Sequence, residues 1–147
     1  KRAAIETMEG GEPVWFGCDV GKQFQRQVGL WDANLFEYDG LYGQADGLDK
    51  NDRLHYHHTA MTHAMLFTGV DVLEGSARRW RVENSWGDEG VGRKGFQTMN
   101  DNWFDEYVFE IAAHRSRLSS ELQAALTESP TVLPPWDPMG ALARTMC

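Results

Sequence analysis

The sequence predicts an α+β fold: antiparallel strands meandering through a small barrel or twisted sheet, short flanking helices, and an extended C-terminal arm. Three observations carry that reading. Apolar segments of strand length recur between glycine turns through the middle of the chain. Helix start signals, a capping residue with an acid in the turn behind it, occur between and after those segments. Finally, Pro130, Pro134, Pro135 and Pro138 forbid regular structure near the end. The expected division is therefore one folded unit over residues 1–129 and an arm over 130–147.

Taken in order, Arg2 to Met8 has helical character and stops at Gly10-Gly11. Pro13 opens Val14-Trp15-Phe16-Gly17-Cys18-Asp19-Val20, an apolar run too short for a helix and read as a buried strand. From Gly21 to Gly47 glycines, acids and aromatics alternate without period, which predicts a long ordered excursion with no regular element. Asp49 caps a helix expected to run to about Ala60, with Asp52 in its first turn. Three strand-like segments follow, His63–Val72, Arg79–Asn84 and Gly95–Met99. Asn100 or Asp101 can cap a short helical turn through Tyr107, and Tyr107–Ile111 is a further strand candidate. Ser119 caps a helix to Leu126. The arm carries Val132, Leu133, Trp136, Met139 and Leu142, an apolar set that predicts docking in a groove of this protein or a neighbour.

Composition narrows the function classes. With 41% apolar and 12% aromatic residues the chain can bury one core. The formal charge is 14 − 22 = −8, which offers no electrostatic footprint for nucleic acid or an anionic membrane. No stretch has the apolar length of a membrane span, and the first residues lack the apolar core of a signal peptide. A cytoplasmic protein is expected. Cys18 and Cys147 make no disulfide framework. The opening residues read as the tail of an amphipathic helix, so the chain is expected to be a fragment or a processed product.

The chemistry-bearing pair is His63, at the start of one apolar strand, and Asn84, at the end of another in Val82-Glu83-Asn84-Ser85-Trp86-Gly87. In cysteine peptidases an imidazole pairs with the thiolate, and an amide oxygen on the far ring nitrogen fixes its tautomer without adding charge. An indole such as Trp86 can shield the pair from water. On spacing alone, a core histidine and a turn asparagine are the commoner reading. Glu83 should face away from Asn84 by strand alternation, and Asp88 and Glu89 read as solvated turn residues. His55, His57 and His58 raise metal binding, since a helix would set His55 and His58 on one face, but no zinc signature surrounds them. No metal and no cofactor are expected.

Met61-Thr-His63-Ala-Met65 with Trp80-Arg-Val-Glu-Asn84-Ser-Trp-Gly87 resembles the His and Asn motifs of papain-like peptidases, in the form of the bleomycin hydrolase (aminopeptidase C) family. Pro13–Gly21, Gly29-Leu30 with Asn34-Leu35, Lys94-Gly95, Trp103–Val108 and Leu133–Ala143 resemble the same family in the same order. The resemblance implies a papain-like fold with a C-terminal β-barrel lobe, in a homohexameric, cytoplasmic cysteine peptidase that trims amino-terminal residues from peptide substrates. It also implies that Ala141, Leu142 and Ala143 form an arm entering the cleft, whose terminal carboxylate anchors a substrate's free ammonium group.

The chain departs from a complete enzyme of that kind. The family's nucleophile lies upstream, in a Gly-x-Cys-Trp setting at a helix N-terminus that lowers the thiol pKa, and no such setting occurs here. Cys18 follows Gly17 and precedes the carboxylate of Asp19, and is expected to be a core cysteine. Activity then requires a missing N-terminal lobe or a complementary Cys-bearing chain. Arg144 to Cys147 extend the arm past Ala143. The alternative is a non-catalytic lobe serving as a structural or interaction subunit of a larger assembly.

Overall fold

The strand signals in the middle of the chain resolve into one mixed sheet, with the helices Arg2–Glu9 and Asp101–Tyr107 packed against it. The structure is a computed structural model that describes residues 1–43, 47–89 and 91–137. A helix α1 (Arg2–Glu9) leads into β1 (Val14–Cys18), followed by two short strands, β2 (Phe24–Gln25) and β3 (Leu30–Trp31), and the helices α2 (Tyr38–Tyr42) and α3 (Lys50–His55). The centre is a hairpin of β4 (His63–Leu73) and β5 (Ser76–Glu83), then β6 (Phe96–Asn100), α4 (Asp101–Tyr107) and β7 (Val108–Ile111). A turn of 3-10 helix at Arg115–Arg117 and α5 (Ser120–Ala125) complete the described elements.

The sheet order is β2-β3-β6-β5-β4-β1-β7, antiparallel except for the β3–β6 pair. Among the described residues β2 and β7 are its two ends, so the sheet is open, the twisted sheet rather than the closed barrel of the two forms the sequence suggested. Alternation sorts β5 cleanly: Trp80 and Val82 point into the core while Arg79, Arg81 and Glu83 face water. Phe16 stacks on Phe67 at 3.7 Å, and Phe67 and Phe104 both pack against Trp80, making an aromatic centre for the core. At the β4–β5 turn, Glu74 and Gly75 both have positive φ, the backbone a tight two-residue hairpin demands.

Several expectations need correction. The 21–47 excursion is partly regular, since β2, β3 and α2 lie in it. Their cause is tertiary: the Trp31 indole donates to Val20 O at 3.0 Å, the Trp103 indole to Lys22 O at 2.8 Å, and Gln23 bonds the backbone of Phe36. The first strand ends at Cys18, because Asp19 and Val20 turn away to bond Tyr107 O and Thr62 Oγ1. Asp49 caps α3 as expected, accepting from Asp52 N at 2.8 Å. That helix stops at His55, however, and His57 has φ 55°, so His58 does not share a helical face with His55. Ser119 caps α5 through Leu122 N. After α5, Val132 and Trp136 are exposed, so no groove among the described residues covers them.

The fold reaches the site through one very close approach. A Cβ on Gly29 would lie 2.5 Å from Gly92 Cα, and one on Gly92 only 2.3 Å from Phe96 O, with both residues at positive φ. This contact ties the segment following Asn84 to the start of β3. Gly92→Ala should therefore lower unfolding free energy by about 1–3 kcal/mol or more, whereas Gly21→Ala, with open space at its Cβ, should stay within about 0.5 kcal/mol. Urea unfolding of both variants checks this.

Asp32 makes a second tie, accepting from the amides of Asn100 and Asn102 and from Asn34 N. Burial works against its carboxylate, but these hydrogen bonds outweigh burial and hold it below the usual carboxylate range. A depressed folded pKa gives stability that is present above the unfolded pKa and lost as pH falls through the folded one. Asp32→Asn should thus flatten the fall in stability as pH drops below about 4, measured by denaturant midpoints from about pH 5 down to about pH 2.

Candidate active site

His63 is the first residue of β4, and Asn84 follows the last residue of β5. The pairing Leu66↔Glu83 and Phe67↔Val82 brings the start of one strand beside the end of the other. Alternation then places His63, Met65 and Phe67 on the same face as Val82 and Asn84. The two polar residues sit where that core face runs out and becomes half-exposed.

His63 Nε2 and Asn84 Oδ1 are 2.9 Å apart. The backbone N–H of Ser85 donates to the same Oδ1 at 2.8 Å, which identifies that atom as the amide oxygen. An oxygen can only accept, so the ring proton belongs on Nε2, and the neutral imidazole carries its lone pair on Nδ1. Among the described residues nothing hydrogen-bonds Nδ1, and Asn84 Nδ2 is buried without a partner. The ring of Trp86 stacks on His63 with centroids 5.1 Å apart and planes at 27°. Phe24 packs on the same indole at 5.9 Å, and the Arg26 guanidinium lies 5.5 Å from its centroid. An imidazole held by Nε2 and covered on one face can take a proton at Nδ1 from a thiol presented there.

The remaining candidates fall as follows. Glu83 is exposed, and so are Asp88 and Glu89. Cys18 pairs directly with His63 across β1 and β4 but is fully buried. Burial first, and the adjacent Asp19 carboxylate second, push its thiol far above the usual range. It is a poor nucleophile. Among the described residues no group of three or more His, Cys, Asp or Glu is arranged to hold a metal, and no helix is long and apolar enough to cross a membrane. Ala141, Leu142 and Ala143 lie outside the described residues, as do Arg144 to Cys147.

Sequence reasoning missed Ser85, Phe24 and Arg26 as neighbours of the pair. Ser85 acts through its backbone, which no side-chain pattern reveals, and the other two lie in the aperiodic 21–47 region. It also read Asp19 only as a neighbour of Cys18, whereas that carboxylate accepts from Thr59 Oγ1 at 2.8 Å, in the turn leading to His63. An acid directly after a buried strand was the available signal.

The family model for the Peptidase C1-like family matches residues 1–140. The chain belongs to this peptidase family. Within it, the chain is 43% identical over 143 residues to an aminopeptidase C of Listeria monocytogenes, and 45% identical over 148 residues to the human bleomycin hydrolase. These alignments cover 97% and 98% of the chain but 32% of each relative, so it spans about a third of their length. The crystal structure of PepW from Lactobacillus rhamnosis HN001 superposes with a TM-score of 0.89 at 45% identity, over 96% of this chain and 32% of that one. Membership thus bears out the resemblance to the bleomycin hydrolase and aminopeptidase C proteins.

The inertness of Cys18 is testable in this family member directly. At pH 8 the folded chain should leave Cys18 unlabelled by iodoacetamide, with labelling appearing once urea unfolds it. Peptide mass spectrometry that distinguishes Cys18 from Cys147 reads the result.

Proposed function

We propose that this chain is the His/Asn-bearing part of a cysteine aminopeptidase, hydrolysing peptide bonds at amino termini together with a Cys-bearing segment. The observation that carries the reading is the 2.9 Å contact between His63 Nε2 and Asn84 Oδ1, which leaves Nδ1 for a thiol. Family membership supports it, as do relatives that bear the names aminopeptidase C and bleomycin hydrolase.

In this mechanism His63 Nδ1 accepts the thiol proton of the Cys-bearing segment, forming an imidazolium–thiolate pair. The thiolate attacks the substrate carbonyl, and the Nδ1–H then protonates the leaving amine as the C–N bond breaks. Water hydrolyses the resulting thioester, with His63 again taking a proton at Nδ1. Asn84 keeps the ring in this orientation through both half-reactions, and the Trp86 ring excludes water from one side of it. Residues 141–143 serve in the same scheme as the arm that anchors the substrate's ammonium end. The whole enzyme is a cytoplasmic homo-oligomer acting on peptides, and bleomycin's amide is a further substrate by analogy with the human relative's name.

Two measurements test this. Mass spectrometry of native material should find a Gly-x-Cys-Trp peptide in equal amount with this chain; its absence would favour a non-catalytic lobe in a larger assembly. With the Cys-bearing segment present, His63→Ala should reduce turnover of an aminoacyl amide by about 10³-fold or more. Asn84→Ala should reduce it less, by about 10²-fold, the cost of misorienting a positioned group.

A further inference from the structure

The turn that delivers His63 to β4 is built around a buried charge. Asp19 is 6% exposed, and no described lysine or arginine pairs with it. Its carboxylate accepts instead from three groups of one short segment. Thr59 Oγ1 donates to Oδ2 at 2.8 Å in a fully buried bond, Ala60 N approaches the same oxygen at 3.4 Å, and Thr62 Oγ1, whose one proton faces both Oδ1 and Cys18 O, lies 3.5 Å from each. A buried carboxylate without a cation is tolerable only where donors replace its lost water, so this segment cannot relax without stranding the charge.

The same segment is held at the backbone. Thr62 N donates to Cys18 O at 2.9 Å, and Val20 N donates to Thr62 Oγ1 at 3.2 Å, while Asp19 N donates to Tyr107 O. Met61 closes the gap between them: a Cβ on Gly17 would lie 2.1 Å from Met61 Sδ. His63 follows immediately and pairs with Cys18, the residue before Asp19.

We infer that Asp19 is a positioning residue for the imidazole: through Thr59, Ala60 and Thr62 it sets the point at which β4 begins and hence where the His63 ring stands against Asn84. This rests on the proposed role of His63. Asp19 makes no hydrogen bond to the His63 ring, so on this inference its loss acts on the geometry of the reacting group and spares substrate binding. Displacing a catalytic group by about 1 Å can cost about 10²-fold in rate.

The test uses the assembled enzyme, with the Cys-bearing segment present, and an aminoacyl fluorogenic amide. Thr59→Val removes the buried donor with little change of shape, Thr59→Ser restores it, and Asp19→Asn removes the charge. Val14→Ala, a fully buried position at the opposite end of β1 from Cys18 and Asp19, serves as a destabilised control, with melting temperatures of all variants recorded. The expected result is a kcat reduced about 10- to 100-fold in Thr59→Val and Asp19→Asn with KM within about threefold, and recovery in Thr59→Ser. Val14→Ala should retain kcat at comparable stability loss. If Asp19→Asn does not fold, the Thr59 pair decides. Unchanged kcat in Thr59→Val, with His63→Ala inactive, would overturn the positioning role alone. Full turnover in His63→Ala would overturn the role of His63 itself and this inference with it.

Discussion

The pairing of β4 with β5 is the constraint on which the site depends. Leu66↔Glu83 and Phe67↔Val82 set the relative height of two strands, and His63 and Asn84 meet only because that height is kept. A slip of one residue would send either side chain to the opposite face. The aromatic centre guards against that slip. Trp80 contacts Phe67 and Phe104, and its indole donates to Asp101 Oδ1 at 2.9 Å, so the buried strand positions are locked to α4 as well as to each other.

Around this hairpin the rest of the fold supplies supports from both sides. On one edge, β1 carries Cys18 against His63 and Asp19 against the turn before it. On the other, β6 and the Gly29–Gly92 approach hold the segment beyond Trp86. At the base of the molecule α3 is fastened to the C-terminal end of α4: Lys50 Nζ donates to Asp105 O and Val108 O, and Arg53 pairs with Glu106. These donors meet carbonyls that a helix end leaves without partners, and two cations complement its dipole. Burial, more than the facing acids can offset, lowers the Lys50 pKa.

What could be read in the sequence divides along a physical line. Segments whose order is local and periodic were legible: the alternation of Arg79 to Glu83, the Asp49 and Ser119 caps, and the short helix at Trp103 and Phe104. The region from Gly21 to Gly47 was not, because its short strands exist through partners far along the chain, such as the Trp103 indole on Lys22 O and the Asn100 and Asn102 amides on Asp32. In the site, His63, Asn84 and Trp86 were singled out because their neighbours resemble a known motif; spacing alone would have left them as a core histidine and a turn. Which ring nitrogen faces Asn84, and that Ser85 fixes the amide, required coordinates. The open edge of the sheet was likewise invisible, since strand signals do not say whether the first and last strands pair.

The central claim is that Asn84 holds the neutral His63 ring as its Nε2–H tautomer, leaving a basic Nδ1. Long-range proton–nitrogen NMR of the histidine rings in this chain, recorded at about pH 8 with His63 assigned by comparison with His63→Ala, reads the tautomer directly. The account predicts a protonated Nε2 and an unprotonated Nδ1 for His63, with that preference weakened in Asn84→Ala. A predominant Nδ1–H tautomer in the unmodified chain would contradict it.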